Sequence, residues 1–144
     1  MLGTPWFTRG LIIASFVPFV LACALPVVYV NLDVGDKISG MSFLLFGWFG
    51  AFLCQFGWFA NLAACISALL LLADRVGASR LGSVVALLIA CDTLFLKSLP
   101  VGMSDPTQEG FRNAIITGWG PGAYLWAASI VIVFAASFLA KSSR

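Results

Sequence analysis

Three polar residues stand inside otherwise apolar runs and are the candidates for chemistry: Asp92, Asn61 and Ser129. An ionisable side chain at membrane depth is costly, so it marks a functional site unless a neighbouring helix explains it. Counted from Leu81, Ala73 and Ala140 respectively, at about 1.5 Å per helical residue, all three come out roughly 17–18 Å deep. That is near the middle of a hydrocarbon core about 30 Å thick. Cys23, counted from Leu11, reaches the same level. Two chemistries follow. A hydrated Asp92 could bind a cation or pass a proton, with Asn61 and Ser129 as partners. A dry, neutral Asp92 would donate to Asn61 or Ser129, and the layer would be interhelical glue worth about 0.6–2 kcal/mol per bond. The glue reading is preferred.

Most other membrane chemistry is excluded by residue type. The chain has no histidine, which removes a Ser-His dyad, an HExxH zinc site and histidine-ligated haem. Its four cysteines, Cys23, Cys54, Cys65 and Cys91, form no CxxC pair and all lie in apolar runs. They read as small packing residues, and neither a metal nor a cofactor is expected. Asp92 stands in CDT and has no second intramembrane aspartate beside it. No P-loop occurs, and Gly118, Gly120 and Gly122 make no dinucleotide fingerprint, since no strand is expected before them.

The elements that must position these residues are apolar helices. The chain is 61% hydrophobic and 10% charged, with mean hydropathy +1.03, a membrane composition. A net charge of +2, scattered along the chain, gives no reason to expect nucleic acid. The expected fold is all-α, one domain over residues 1–144, with four transmembrane helices in an antiparallel bundle at about 11–30, 41–73, 81–99 and 122–140. Leu11–Leu21 followed by Ala22-Cys23-Ala24 has the outline of a signal peptide. The apolar run continues to Val30, so it is read as a span. Pro18 and Pro26 should bend it.

Met41–Ala73 holds no charge and predicts one long, continuous or gently bent helix; the rival reading breaks it near Gly57–Asn61, where glycine makes a bend cheap. On a helical wheel, Gly47, Gly50, Cys54, Gly57, Asn61 and Cys65 fall within an arc of about 80°. That small face should pack against another helix. Phe49, Phe52, Phe56 and Phe59 lie opposite. Gln55, with Trp48, Trp58, Trp119 and Trp126, could line an outer aromatic patch for a partner or lipid, although an ordinary aromatic belt is the preferred reading. In the long connection, Asp105-Pro106 with Gln108 resembles a helix start and predicts a short surface helix from Pro106 to about Ile116. Pro121 in the TGWGPG stretch can start the last span.

With four spans, Arg9, Arg75, Arg80, Lys141 and Arg144 share one side, against Lys37, Lys97 and Arg112 on the other. The positive-inside rule then puts both termini in the cytoplasm of a plasma membrane. QFGWFANL and TGWGPGAYLW resemble stretches of small bacterial four-span proteins of the inner membrane, a resemblance that implies no function. The expected partners are the lipid bilayer and either another membrane protein or further copies of the chain. The leading expectation is a non-enzymatic accessory or immunity-type subunit acting through helix contacts. The alternative is a small oligomeric transporter or channel using Asp92, Asn61 and Ser129.

Overall fold

The computed structural model describes residues 5–31, 37–53, 55–102 and 111–140. Helix α1, Pro5–Ala24, opens with Pro5 at the first helical position, where its missing N–H costs nothing. It keeps Pro18 in its interior but stops before Pro26. The residue preceding a proline is driven out of the helical region. Pro26 instead begins strand β1, Pro26–Val30, whose valines and tyrosine suit a half-buried pleated surface. The first span therefore runs earlier than expected and ends before Val30.

Strand β2, Lys37–Ser39, pairs antiparallel with β1. Ser39 then caps helix α2, Gly40–Phe46, by accepting the Ser42 N–H. The run expected as one long helix is interrupted. After α2 come a 3-10 turn at Gly47–Leu53, an irregular stretch, and helix α3, Phe59–Leu72. Three features favour the interruption. Gly47, Gly50 and Gly57 weaken the helix locally. The Gln55 N–H reaches the Gly50 carbonyl at 2.9 Å, a wider loop than an α-helix makes. The Trp58 indole folds back over Gly47 and donates to the Leu44 carbonyl at 3.0 Å. The small residues of the predicted packing face thus sit on different elements, with Gly47 and Gly50 in the 3-10 turn and Gly57 beyond it. Asn61 and an exposed Cys65 lie in α3, and Cys54 is outside the described residues.

A tight turn at Asp74, with φ 58°, joins α3 to α4, Val76–Asp92. Aspartate tolerates this left-handed geometry better than most residues. The chain leaves α4 through a 3-10 turn, Thr93–Phe95, and enters strand β3, Ser98–Gly102. Strand β4, Phe111–Trp119, follows, and Pro121 opens α5, Pro121–Leu139. Residues 111–116, expected to finish a surface helix, are strand; Pro106–Gly110 lie outside the described residues. A strand does precede Gly118 and Gly120, contrary to the sequence expectation, but it belongs to an antiparallel sheet. The fold is therefore not all-α. It is mostly helical with a four-stranded antiparallel sheet in the order β2-β1-β4-β3.

Among the described residues, three helices are long and apolar enough to cross a membrane: Trp6–Ala24, Val76–Phe95 and Pro121–Leu139. Gly40–Phe52 and Phe59–Leu72 are apolar but shorter. Helix α1 packs on α5, and α4 packs on both α3 and α5. At the end away from the sheet, Ser67, Ser79 and Ser137 join α3, α4 and α5 with no exposed surface. Ser79 Oγ lies 3.1 Å from Ser67 Oγ and 2.9 Å from Ser137 Oγ. Small hydroxyl residues let the three backbones approach and satisfy one another across the contact. Arg80 reaches from α4 to donate to the Ser137 and Ala140 carbonyls at 3.2 and 2.9 Å, closing the end of α5.

At the opposite end the sheet is stapled to the helices through glycine. A Cβ on Gly122 would stand 2.8 Å from the Pro26 carbonyl oxygen and 3.0 Å from those of Ala22 and Leu25. These are backbone atoms and cannot swing aside. Gly122→Val should lower stability by about 1–3 kcal/mol, the usual range for overpacking. The check is Tm in mild detergent. A variant that melts with the wild type would show that α5 does not hold this close approach.

Candidate functional site

Beneath the sheet the interruption in the second apolar run leaves a cavity of about 980 Å³. Its walls come from α1, the sheet, the α2–α3 segment and the sheet-side ends of α4 and α5. Cys23 contributes from α1, Val27 from β1, Ile38 from β2 and Leu99 from β3, while Phe43, Phe46 and Phe49 come from the interrupted segment. Alternation along the strands places Val28, Val30 and Ala114 in the sheet's own buried cluster, with Val27, Ile38, Phe43 and Leu99 packed around it. The lining is overwhelmingly apolar and aromatic. Its polar members include Ser42, Gln55, Asn61, Asp92 and Thr93.

Asp92 is the last residue of α4. Because α4 begins at Val76 and not at Leu81, Asp92 lies about 24 Å along it by helix rise. It is therefore near the sheet end of the Val76–Phe95 segment and not at its middle. Its Oδ2 accepts the Phe56 N–H at 2.8 Å. That donor belongs to the turn that winds into α3. The first three N–H groups of α3, on Phe59, Ala60 and Asn61, bond to the carbonyls of Phe56, Gly57 and Trp58, and Trp58 at the N-cap supplies no side-chain cap. Asp92 therefore satisfies a backbone donor of the turn ahead of α3, from another helix.

Asn61 Oδ1 accepts the Trp126 indole N–H at 2.6 Å. Ser129 donates instead to the Trp126 carbonyl of its own helix at 2.7 Å. The three polar residues thus do not hydrogen-bond to one another. Asn61 and Trp126 form one pair across α3 and α5, Asp92 serves the turn, and Ser129 is not part of the cavity wall. Thr93, next to Asp92, has a buried Oγ1 without a hydrogen-bond partner. It is packed against Gly57, where a Cβ would collide with that oxygen.

Of the outer aromatic patch, Gln55, Trp58, Trp119 and Trp126 line the cavity. Trp48 does not; it is exposed and stacks on Phe49 with ring centroids 3.8 Å apart. Sequence reasoning missed the strand residues of the wall, Thr93, and the Ser67–Ser79–Ser137 cluster. The rule that singled out Ser129, a polar residue in an apolar run, applies equally to Ser67 and Ser137, whereas Ser79 stands beside Arg80 in the charged connection. The strand residues carried no such mark.

Replacing Asp92 separates the geometry of this bond from its charge. Asn keeps an acceptor oxygen for the Phe56 N–H, whereas Ala loses the bond, at about 0.5–1.5 kcal/mol. Asp92→Asn should keep the wild-type Tm, and Asp92→Ala should lower it and speed amide exchange at Phe56. Equal exchange at Phe56 in all three proteins would mean that the bond contributes nothing. Comparison of the chain with protein-family models, curated proteins and solved structures found no match.

Proposed function

We propose that the chain is a non-enzymatic integral membrane protein that works by binding, with an apolar molecule held in the cavity beneath the sheet. The observation that carries this reading is the cavity itself, at about 980 Å³. Ligand sites of roughly 300–1,000 Å³ are typically apolar hollows with a few placed polar groups, and Gln55, Asn61 and Asp92 are such groups here. Conduction has less support, because Asp92, Asn61 and Ser129 are each engaged in a separate local hydrogen bond. In this proposal the interrupted run Gly40–Leu72 acts as the fourth membrane element, entering as α2 and its 3-10 turn and leaving as α3. Both termini lie in the cytoplasm and the sheet lies outside, in line with the positive-inside rule. The protein would serve as an accessory subunit that presents or sequesters its ligand.

Two measurements test the proposal. An uncharged aromatic-alkyl probe, an alkylbenzene ending in a quaternary carbon, should bind saturably to the purified protein in native mass spectrometry. Cys23→Phe fills the cavity from α1 and should weaken that binding by about tenfold or more, equivalent to about 1.4 kcal/mol. Non-saturable uptake, or equal binding by wild type and Cys23→Phe, would defeat the binding reading. For topology, Lys37 and Ala78 are exposed, whereas Ser79 is fully buried and unsuited to labelling. With the four native cysteines replaced, Lys37→Cys should label from outside the cell and Ala78→Cys only after permeabilisation. Labelling of both from one side would overturn the orientation.

A further inference from the structure

We infer that the cavity selects an apolar organic cation, a compact quaternary or alkylated ammonium group on an aromatic or alkyl body, with its charge against Asp92 and its body on the aromatic wall. This rests on the binding reading above and adds the sign and chemical class of the ligand. Among the described residues lining the cavity, Asp92 is the one with a formal charge; no lysine or arginine contributes to the wall. A carboxylate beside an otherwise apolar and aromatic wall attracts a cation at close range. It favours a cation, leaves a neutral occupant unaided, and repels an anionic amphiphile such as a fatty acid.

The carboxylate is also available. A carboxylate offers about four lone-pair sites, and the Phe56 N–H at 2.8 Å occupies one of them on Oδ2. That bond fixes the group in place, so a bound cation finds a positioned charge and the bond to Phe56 need not be given up.

The aromatic wall points the same way. The N–H ends of Trp58 and Trp126 are committed to the Leu44 carbonyl and to Asn61 Oδ1. Both side chains line the cavity, and an indole ring attracts a desolvated cation at its face. A hard metal ion is a poor alternative, because it requires six or more oxygen ligands, and no group of three or more potential metal-holding side chains occurs among the described residues. An alkylated ammonium needs one counter-charge and an apolar surround, which is what this wall supplies.

The test compares 4-phenylbutyltrimethylammonium with its uncharged isostere, in which carbon replaces the ammonium nitrogen, by calorimetry in an uncharged detergent. Wild type should bind the cation at least about tenfold more tightly than the isostere. Asp92→Asn keeps an acceptor for the Phe56 N–H and should bring the two affinities together while leaving isostere binding unchanged. The wild-type ratio is decisive alone should Asp92→Asn fail to fold. Equal wild-type affinities, or a preference that survives in Asp92→Asn, would overturn the inference. Binding of the isostere without the cation would sink this inference and leave the binding reading standing. Binding of neither would sink both.

Discussion

A helix that breaks in apolar surroundings frees backbone groups that lipid cannot satisfy. Much of this structure depends on how that cost is met between Gly47 and Phe59. The Phe56 N–H is met by the Asp92 carboxylate, the Gln55 N–H by the Gly50 carbonyl, and the Leu44 carbonyl gains the Trp58 indole as a donor. These bonds let the chain turn aside from the straight path its composition would otherwise take. The displaced segment, with its phenylalanines, then becomes a wall and the vacated volume becomes the cavity. Asp92, the last residue of α4, reaches across to the interrupted turn.

The two ends of the helical bundle are built on different principles. Away from the sheet, Ser67, Ser79 and Ser137 are fully buried and mutually bonded, and Arg80 covers the last carbonyls of α5 while stacking over Phe138 at 5.6 Å. There is no room for a guest there. Toward the sheet, contacts are made through glycine and backbone at Gly120 and Gly122 against Pro26. The volume next to that staple is walled by large aromatic side chains with a few polar groups among them. Close packing at one end fixes α3, α4 and α5, so the sheet end can stay hollow without loss of register.

Three membrane-length helices were legible in the sequence because each is a long apolar run bounded by charge, glycine or proline. The sheet was not. PVVYV follows α1 directly, and its valines extend an apolar run as readily as they make a strand. Pro26 was read as a bend, whereas the preference of the preceding residue for extended backbone made it a stop. FRNAIITGW was hidden by the Asp105-Pro106 start signal upstream, yet its isoleucines and threonine favour a strand. The expected layer of Asp92, Asn61 and Ser129 rests on where each helix begins. With α4 starting at Val76, Asp92 stands at the sheet end of its helix, while Asn61 accepts from Trp126 and Ser129 bonds within its own helix. Spacing along one chain locates a residue on its own helix. It does not reveal which neighbour arrives at the same height.

The position of Asp92 links these observations. At the end of α4 its carboxyl accepts a peptide N–H from the turn ahead of α3, and it also lines the apolar hollow. The residue that makes the interruption tolerable therefore also gives the cavity its sign. In the proposed binding reading, folding and selectivity rest on different properties of one side chain: the Phe56 N–H needs an acceptor oxygen, and the ligand needs the negative charge. Asparagine supplies the first without the second, so the two roles are separable although they share an atom group.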